Sequence, residues 1–464
     1  MRSDVMAAIA HAVDPQVLQS GADIPDRRRG DANGPGGVRP ELVLRPRDTG
    51  EVARLLGLCD ALRQPIVVQG GLTGFAGGAR PQAGEVVLSL ERMNRVGAPE
   101  RAGASVLAEA GATLQAVQDA AAGAGLMLGV DIAARGSCTI GGNVATNAGG
   151  IRVLRYGMFR TQVAGLEVVL ADGSVLSSLA GLPKDNAGYD LKQIFIGSEG
   201  TLGVVTRARL RLHPLPRGGS LALAAAASPR AALETLMRLR DAFGPALAAF
   251  EAIGGTLHDA VASWRRKRSP LAPGAPLYLL IEIQGHDPDG EQARFETALA
   301  RAAEDGLLGE IVIASSGREA AALWGLREGL GEYLVALSAP LQGHDIAVPV
   351  DRQPEFLASA ADSVAAIDPG ARILVFGHFG DGNLHYIVES ADARIPATVY
   401  RCVAGMDGSI AAEHGIGLDK KPFLSHTRSP AELSVMRRLK RALDPHAILN
   451  PGRVFDAAPE GDRA

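Results

Sequence analysis

The strongest constraint on how this 464-residue chain can fold is a pair of glycine-rich segments that carry almost no charge. They read QGGLTGFAGGARP at 69–81 and RGSCTIGGNVATNAGG at 135–150. Consecutive glycines let backbone N–H groups converge on one point, which forms a nest that binds a pyrophosphate without a lysine. One such segment alone would more often be a simple tight loop, but GSEGTLGVV at 197–205 is a third of the same kind. We therefore expect a large anionic cofactor.

The spacing of the glycines argues against two common nucleotide sites. GGLTGFAGG lacks the G-x-G-x-x-G pattern, and no acidic residue follows about twenty positions later at the end of a second strand. A Walker lysine is missing from these segments as well. The cofactor therefore need not be NAD, and a P-loop nucleotide site is not expected.

The residues before and around the first glycine segment alternate between strand and helix patterns. ELVLRP and PIVVQGG are typical of strands, and TGEVARLLGLCDALR between them predicts a helix with Thr49 as its N-cap. The order strand, helix, strand favours a parallel pairing of the two strands. Residues 21–40 are dense in Gly, Pro and charge, which predicts an irregular lead-in with ordered structure beginning after it.

A second domain is expected after the Pro-rich residues 214–216. Before that boundary, VAGLEVVLADGSVL predicts a hairpin that turns at Asp172-Gly173, followed by a further strand in GTLGVVTRARLRLHPLP. Beyond it, helix, strand, helix and strand patterns follow in order, which favours a smaller α+β domain of the split sandwich type. These four segments are PRAALETLMRLRDAF, PLYLLIEIQG, DGEQARFETALARAAEDG and EIVIAS.

Composition excludes several classes of protein. The net charge is −4, and the basic run WRRKR at 264–268 is too short to predict nucleic-acid binding. The three cysteines are widely spaced, which excludes a disulfide framework and a Cys-based zinc module and favours a reducing, cytoplasmic setting. His11 and Asp14 interrupt the apolar residues of the N-terminus, so neither a signal peptide nor a transmembrane segment is expected. The most apolar run, LALAAAA at 221–227, is too short to cross a bilayer.

Several longer segments identify the chain as similar to a known family. PIVVQGGLTGFAGGARP, GSCTIGGNVATNAGG, KDNAGYDLKQIFIGSEGTLGVVT, HFGDGNLH, AEHGIG and LDPHAILNPGRV resemble the FAD-linked oxidases of the vanillyl-alcohol-oxidase type. Within that superfamily they most resemble the D-2-hydroxyglutarate and D-lactate dehydrogenases, together with their glycolate-oxidase-like relatives. The resemblance extends over residues 40–455, nearly the whole chain.

The resemblance implies an α+β fold in four parts. A lead-in at 1–38 precedes a PCMH-type FAD-binding domain of two subdomains at 39–216. A ferredoxin-like α+β cap domain at 217–410 would bind the substrate and carry the metal-site histidines. A C-terminal segment at 411–464, with the Glu-His motif, would return to the FAD domain and pack near the flavin.

The same motifs carry over a set of cofactor contacts. FAD is expected to be non-covalent, because no histidine lies between His11 and His213 and Cys138 is the one other residue that could form a bond to it. The first glycine segment would line the pyrophosphate and ribityl chain, the second would follow the isoalloxazine and diphosphate, and the third would contact the adenosine. The residues are Gln69, Gly70, Gly71, Thr73, Gly74, Gly77, Gly78, Gly136, Ser137, Thr139, Gly142, Asn143, Thr146, Asn147, Gly150, Glu199, Gly200 and Val205.

The motif HFGDGNLH predicts a metal centre. His378 and His385 are seven residues apart, and the Asp381-Gly382-Asn383 sequence between them suits a turn that brings them together. With Glu413 of AEHGIG they make the His₂Glu composition of open catalytic zinc sites, and manganese or iron would suit the same donors. A single histidine would more often be structural, and it is the set of three that predicts a divalent metal.

A 2-hydroxy acid would chelate such a metal through its hydroxyl and carboxylate oxygens, and the metal would lower the pKa of the hydroxyl. His414 is then the natural general base, while the C2 hydride passes to flavin N5. The resemblance assigns the same roles to the metal ligands and His414, and it adds Asn383 and Arg327 as substrate contacts. An arginine in the helical pattern LWGLREGLGEYL could otherwise simply extend along the surface.

Two positions depart from the family pattern. Gly343 stands where relatives commonly have a lysine that holds the substrate carboxylate, and Gly331 stands where hydroxyglutarate dehydrogenases have a threonine. Lys192, Arg352 or His344 would have to substitute for these contacts. A bulkier or less charged acid than hydroxyglutarate is therefore a candidate substrate.

Three functions are compatible with these patterns. The leading one is an FAD- and metal-dependent dehydrogenase that oxidises a D-2-hydroxy acid to the 2-oxo acid and passes electrons to an electron-transfer flavoprotein, a quinone or a cytochrome. The alternative is a flavoprotein component of a glycolate-oxidase-like electron-transfer complex. The third is a zinc hydrolase whose glycine loops hold only a nucleotide. A homodimer is the expected assembly on base rates.

Overall fold

The computed structural model describes residues 3–34, 36–265 and 269–456. The chain divides into two compact units. The first takes the described residues of 1–149, 158–215 and 413–464, and the second takes 150–157 and the described residues of 216–412. Of the basic run WRRKR, residues 266–268 lie outside the described part of the chain.

The regular elements are numbered here in chain order. The α-helices are α1 Ser3–Ala12, α2 Thr49–Ala61, α3 Leu114–Gly123, α4 Ile140–Thr146, α5 Val153–Tyr156, α6 Phe159–Gln162, α7 Lys192–Phe195, α8 Pro229–Phe243, α9 Gly255–Trp264, α10 Pro288–Glu304, α11 Gly317–Ala336, α12 Gln353–Ala365, α13 Ile395–Gly405 and α14 Pro430–Leu443. The strands are β1 Leu18–Ser20, β2 Leu42–Leu44, β3 Ile66–Gln69, β4 Val86–Ser89, β5 Ser105–Glu109, β6 Leu126–Met127, β7 Val163–Val169, β8 Val175–Ser178, β9 Val204–Arg211, β10 His213–Pro214, β11 Gly218–Ala226, β12 Leu247–Gly254, β13 Leu277–Gly285, β14 Leu308–Ile313, β15 Leu341–Ala347, β16 Arg372–Gly377 and β17 Asn383–Glu389.

The first unit contains a mixed sheet in the order β1-β2-β4-β3. The expected direct pairing of β2 with β3 is wrong, because β4 lies between them and pairs in parallel with each. All four residues of β4 are buried. A strand that is covered on both faces and forms two ladders belongs in the middle of a sheet. The two expected strands are nevertheless parallel to each other.

The expectation that ordered structure begins only after residue 40 is also wrong. Helix α1 and strand β1 precede that point, and β1 pairs antiparallel with β2. Within residues 21–40 the chain is also anchored, because Arg28 is buried and its NH2 group lies 2.6 Å from the Glu91 carboxylate. An ion pair that anchors the lead-in to a distant loop has no local sequence signal.

Helix α2 is confirmed, but its N-cap is Asp48 rather than Thr49. The Asp48 side chain accepts a hydrogen bond from the backbone N–H of Glu51 at 2.8 Å, which satisfies one of the open donors at the helix start. The Thr49 hydroxyl instead donates to Glu167 Oε1 at 2.6 Å. The tertiary contact to β7 decides which residue caps the helix.

A second, antiparallel sheet of the first unit has the order β5-β9-β7-β8. The predicted hairpin is confirmed, since β7 pairs antiparallel with β8 from Leu166 opposite Ser178 to Val169 opposite Val175. Strand β9 lies between β5 and β7, and its alternating burial matches its alternation of apolar and basic residues. One extended core cluster includes residues of both sheets.

Residues 448–450, near the end of the described part of the chain, contribute to the first unit. Ile448 accepts a hydrogen bond from Ile66 N at 2.7 Å, and Asn450 N donates to Ile66 O at 2.8 Å. The Asn450 side chain bonds Val68 N and Glu199 O. The segment LDPHAILNPGRV therefore runs beside β3, the strand that leads into the first glycine segment.

The second unit is built on a seven-stranded sheet in the order β14-β11-β13-β12-β16-β17-β15, and every pairing in it is antiparallel. The predicted elements α8, β13, α10 and β14 are confirmed. Strands β11 and β12 were not predicted, because the Ala-rich sequence of β11 and the almost wholly buried, apolar sequence of β12 show no alternation. Among the described residues, no helix is long and apolar enough to span a membrane.

Candidate active site

The two glycine segments of the first unit pack against each other through their backbones. A Cβ at Gly71 would lie 2.0 Å from the carbonyl oxygen of Ser137, and a Cβ at Gly70 would lie 2.5 Å from Thr139 Oγ1. Real side chains do not tolerate such distances, so glycine is required where the loops approach. The glycines from which a phosphate-binding nest was predicted are therefore also needed for the packing of the two segments.

Gln69, at the end of β3, is not available to a cofactor through its side chain. Its Nε2 donates to Arg28 O and Ala79 O, both at 2.9 Å, and its Oε1 accepts from Arg28 NH1 at 3.4 Å. The residue is fully buried. Gln69 therefore braces the start and the end of the first glycine segment.

The second glycine segment leads into helix α4. Thr139 precedes the helix, and its buried Oγ1 has no hydrogen-bond partner among the described residues. Asn143 Nδ2 donates to the sulfur of Cys138 at 3.5 Å. Burial raises the pKa of the Cys138 thiol, which keeps it in the neutral, poorly nucleophilic form.

The end of α4 is held by its own polar side chains. Thr146 Oγ1 donates to Gly142 O at 3.1 Å, and Asn147 adopts a left-handed conformation at the helix end. Asn147 Oδ1 accepts from Arg160 N at 2.8 Å. Both predicted cofactor residues thus also have structural contacts.

Glu199 ties the third glycine segment to the AEHGIG motif within the first unit. Its two carboxylate oxygens accept from Ile416 N at 2.7 Å and from Gly417 N at 2.8 Å. Burial raises the pKa of Glu199, while the two N–H donors act in the opposite direction. A Cβ at Gly417 would lie 1.9 Å from Ala76 O, so this turn also depends on glycine.

The remaining predicted cofactor residues differ in their surroundings. Gly74 and Gly136 face open space, with nothing within 4 Å of a Cβ, whereas Val205 is buried in the core. Gly150 belongs to the second unit. The others, Thr73, Gly77, Gly78, Ser137, Gly142 and Gly200, lie in the three segments as expected.

The first unit fits a large anionic group. The two arginines of the glycine segments are paired, Arg80 with Asp31 and Asp419 and Arg135 with Asp131. Recognition of an anion therefore falls to backbone N–H groups and to hydroxyls such as that of Thr139. Open space at Gly74 and Gly136 gives such a group room.

In the second unit, the HFGDGNLH sequence forms the connection between β16 and β17. His378 follows the last residue of β16, a short 3₁₀ helix covers Phe379–Asp381, and Gly382 (φ +93°) leads into β17. The His378 and His385 rings lie 5.8 Å apart, centroid to centroid, and each offers a ring nitrogen within 4.8 Å of the other. Two imidazoles at this distance can share one metal ion.

A buried acid that the sequence did not indicate supports the first histidine. Glu251 on β12 is 0% exposed, and its Oε1 lies 2.5 Å from His378 Nδ1. Its Oε2 accepts from Arg327 Nε at 2.7 Å. Burial acts to raise the pKa of Glu251, but His378 and Arg327 outweigh it and lower the pKa to about 2.

A second acid supports the other histidine. Asp345 on β15 lies opposite His385 in the strand register, with Oδ1 3.7 Å from His385 Nδ1. The same Oδ1 accepts from Asn383 Nδ2 at 2.9 Å, and Ile346 O accepts from that nitrogen as well. Asn383 Oδ1 is buried and has no partner among the described residues, so it can accept a hydrogen bond from a water molecule or a ligand.

Arg327, on α11, lies against the face of Phe376, with its guanidinium carbon 4.7 Å from the ring centroid. Only its Nε is bonded to protein within the described residues, and its side chain is 13% exposed. The two terminal nitrogens are thus available for a carboxylate in a two-point contact.

The remaining predicted residues lie in the first unit. Glu413 and His414 begin its last stretch. The His414 ring packs against Phe75 of the first glycine segment, with centroids 4.8 Å apart. The second unit by itself therefore holds two of the three predicted metal ligands and both predicted substrate contacts.

The two positions that depart from the family pattern are open. Gly343 on β15 and Gly331 on α11 are exposed, and a Cβ at either would meet nothing within 4 Å. His344 points to the opposite face of β15 from Gly343 and Asp345, and its Nδ1 lies 2.9 Å from Tyr386 O. Arg352 is paired with Glu355, and Lys192 with Asp190. The residues that could have replaced the missing contacts already have partners.

Two family models match the chain. The FAD binding domain matches residues 40–178, and the C-terminal domain of FAD linked oxidases matches residues 215–454, which is more than half of the chain. The chain belongs to the FAD-linked oxidases. The first matched segment contains both long glycine segments. The second contains the hairpin of β16 and β17, which carries His378 and His385.

Curated relatives of this FAD-linked oxidase match over most of its length. The mitochondrial D-2-hydroxyglutarate dehydrogenase of Bos taurus is 39% identical over 89% of this chain and 77% of the relative. The D-2-hydroxyglutarate dehydrogenase of Xanthomonas citri pv. viticola is 40% identical over 90% of this chain and 89% of the relative. A mitochondrial Schizosaccharomyces pombe protein, named provisionally as a D-lactate dehydrogenase, is 32% identical over 89% of this chain and 81% of its own.

Solved structures of other flavoproteins share the fold at low identity. p-Cresol methylhydroxylase with substrate bound gives a TM-score of 0.77 at 15% identity, covering 98% of this chain and 97% of that one. 4-Ethylphenol oxidase from Gulosibacter chungangensis gives 0.74 at 19% identity, covering 99% and 98%. The mixed helix and sheet fold of the PCMH-type flavoproteins is therefore the fold of this FAD-linked oxidase.

Proposed function

We propose that this FAD-linked oxidase is a metal-dependent dehydrogenase that oxidises a D-2-hydroxy acid to the corresponding 2-oxo acid. The observation that carries the proposal is the identity of 39% and 40% to two D-2-hydroxyglutarate dehydrogenases over about nine tenths of the chain. The paired histidines of the second unit, each beside a carboxylate, support the same chemistry. The preference for the D enantiomer comes from the relatives alone.

FAD is proposed to be held non-covalently by the three glycine segments. When bound, it would supply the hydride acceptor, at flavin N5. The loops would hold its phosphates with backbone N–H groups, and the unsatisfied hydroxyl of Thr139 would add a contact. The buried, neutral thiol of Cys138 supports a non-covalent flavin.

A divalent metal, most simply zinc, is proposed to be bound by His378, His385 and Glu413. When present, it would supply Lewis-acid polarisation of the substrate hydroxyl. A carboxylate only accepts hydrogen bonds, so Nδ1 of His378 carries a proton and Nε2 is its ligand atom. Four residues before Glu413, Ser409 bridges to Ala347 at the end of β15, which anchors the chain that leads into the motif.

Arg327 and Asn383 are proposed to hold the substrate, and His414 to remove its proton. The terminal nitrogens of Arg327 suit the planar carboxylate of a 2-hydroxy acid. Until the hydroxyl proton passes to His414, Asn383 Oδ1 can accept a hydrogen bond from it, and Asp345 fixes the orientation of the Asn383 amide. Histidine is the side chain most often used as a general base, and His414 would supply it.

The finer organisation expected from the sequence is likewise proposed. Residues 39–216 would form the FAD domain, 217–410 the cap and 411–464 the returning segment. The compact units instead change at 215/216 and 412/413, and residues 150–157 also belong to the second unit. The strand order β14-β11-β13-β12, with α8 after β11 and α10 after β13, supports a ferredoxin-like cap.

Substrate, acceptor and setting are proposed in general terms. The open space at Gly343 and Gly331 supports a distal group that is larger or less charged than that of hydroxyglutarate. The electron acceptor would be an electron-transfer flavoprotein, a quinone or a cytochrome, and the assembly a homodimer. The cysteine pattern favours a reducing compartment, and several relatives are named as mitochondrial.

The test is anaerobic reduction of the purified holoprotein. The flavin absorbance band is followed against D- and L-2-hydroxy acids, before and after treatment with EDTA. Bleaching by particular D-acids that EDTA abolishes and zinc or manganese restores is the expected result. A yellow protein that bleaches with no hydroxy acid would contradict the proposal. Bleaching that is unaffected by EDTA would remove the metal from it.

A further inference from the structure

Glu251 is the most deeply buried ionic group of the second unit that the proposed chemistry does not use directly. It lies on β12 among apolar neighbours and is 0% exposed. Both of its oxygens are engaged, Oε1 by His378 Nδ1 at 2.5 Å and Oε2 by Arg327 Nε at 2.7 Å. Burying a carboxylate is costly unless it is paired and hydrogen-bonded, and these two partners meet that condition.

The three residues come from three different elements. Glu251 is on β12, Arg327 is on α11 76 residues away, and His378 follows β16 127 residues away. The strands themselves are in register, because Ala252 of β12 lies opposite Gly377 of β16. The register brings Glu251 beside His378, whereas Arg327 reaches it only through the packing of α11.

Resting on the function proposed above, we propose that Glu251 is a positioning residue that couples metal binding to recognition of the substrate carboxylate. Through Oε1 it fixes the tautomer and the ring orientation of His378, so that Nε2 is presented as the ligand atom. Through Oε2 it holds Nε of Arg327, so that both terminal nitrogens face outward as a fork. One carboxylate thereby sets the geometry of a metal ligand and of a substrate contact.

Glutamine at this position disturbs both contacts of the carboxylate. Its side chain has the same shape, but it offers one oxygen acceptor and one NH₂ donor. His378 Nδ1–H and Arg327 Nε–H are both donors, so the glutamine oxygen can accept from only one of them, and its NH₂ faces the other. The bond that is kept loses the charge of the carboxylate, so a single substitution that preserves volume weakens both contacts.

The experiment compares FAD-loaded wild-type protein with Glu251→Gln and with Glu389→Gln as the matched control. Glu389 is also a strand carboxylate of the second unit paired with an arginine, Arg372 Nε at 2.7 Å, and it is bonded to neither histidine of the hairpin. Two quantities are measured: the zinc dissociation constant, by competition with a chromogenic chelator, and the KM for the hydroxy acid that reduces the wild-type flavin best.

For Glu251→Gln we expect the zinc dissociation constant to rise about 10–100-fold. The KM should rise about tenfold or more as the arginine loses a charged partner. Glu389→Gln should leave both constants at their wild-type values. An unchanged zinc constant or an unchanged KM in Glu251→Gln would overturn the coupling role.

The outcomes distinguish this role from the proposed function. Wild-type protein that binds zinc and is reduced by a hydroxy acid, together with an unaffected Glu251→Gln variant, refutes the role and leaves the function standing. Wild-type protein that binds neither zinc nor manganese overturns the coupling role and removes the metal from the proposed function, whereas reduction by a hydroxy acid would still support the dehydrogenase. If Glu251→Gln does not fold, Glu251→Asp replaces it, because the shorter carboxylate keeps the charge and cannot span both partners. It is expected to show the same two losses, and wild-type constants in it would refute the role.

Discussion

The two candidate sites of this FAD-linked oxidase are built from different parts of the chain. The candidate cofactor site of the first unit, formed by the three glycine segments, is made mainly of backbone. Gly71 and Ser137 approach each other there so closely that a Cβ on Gly71 would not fit. The centre of the second unit is made of side chains, with His378 and Arg327 sharing the buried acid Glu251. A backbone site limits the size of its residues, whereas a side-chain site limits their chemical identity.

The largest effect is expected where chemical identity matters most. His385→Ala removes one of the two imidazoles of the second unit, and we expect bound zinc to be lost and flavin reduction to slow by about 10²–10³-fold, as several kcal/mol of charge stabilisation disappear. Metal analysis and stopped-flow reduction measure this. His426→Ala, in the first unit, serves as the control and should change neither quantity. Full activity without zinc in His385→Ala would show that the side-chain centre does not bind the catalytic metal.

The next largest effect is expected at Gly71 of the first glycine segment, where close packing excludes any residue larger than glycine. Gly71→Ala places a Cβ 2.0 Å from Ser137 O, and the overpacking should lower the free energy of unfolding by about 3 kcal/mol and reduce FAD retention. Gly74→Ala in the same loop meets nothing within 4 Å and should leave the stability of the apoprotein unchanged. Thermal unfolding of the two apoproteins measures the difference. Equal stability of the two variants would show that the packing at Gly71 does not require glycine.

A smaller effect on stability is expected at Glu167, a buried acid of the first unit that lies outside the candidate metal site. Burial acts to raise the pKa of Glu167, but Arg207, Thr49 and Thr206 outweigh it and hold the pKa below 4.5. Because the folded-state pKa is lowered, Glu167 stabilises the fold above about pH 4.5, and this contribution is lost as the pH falls through the lower folded-state pKa.

Glu167→Gln should therefore cost about 1.5 kcal/mol at pH 7 and flatten the loss of stability on acidification. Denaturant unfolding at several pH values measures both changes. The zinc dissociation constant should stay at its wild-type value. A zinc constant that changed together with the stability would show that framework and site acids do not act separately.

The smallest effect on stability is expected at Gly343. A side chain there meets nothing within 4 Å, so Gly343→Lys should change the free energy of unfolding by no more than about 0.5 kcal/mol. The lysine would lie on the same face of β15 as Asp345 and should lower the KM for D-2-hydroxyglutarate relative to D-lactate. Gly405→Lys adds the same charge on α13 and should leave the ratio of the two KM values unchanged. An unaltered ratio in Gly343→Lys would remove this position from substrate selection.

The sequence predicted the glycine loops and the histidine turn but not the acids behind the histidines. His378 and His385 are linked by a turn of local sequence, so their approach could be inferred from spacing. Glu251 is a single acid in the apolar sequence LAAFEAIG, and its partners are 76 and 127 residues away. No local pattern indicates such a partner. Asp345 has the same difficulty, because it meets His385 only through the pairing of β15 with β17.

By itself, the sequence determined features that depend on a few neighbouring residues: the hairpin at Asp172-Gly173, helices such as α8, the glycine loops and the turn after β16. These follow from backbone conformations that the local residues prefer. The tertiary structure decided that β4 separates β2 from β3, that Asp48 caps α2 and that Gln69 braces its own loop. It also decided that Glu251 joins His378 to Arg327. These choices depend on which distant groups are buried together, since a buried polar group takes whatever partner the packing provides.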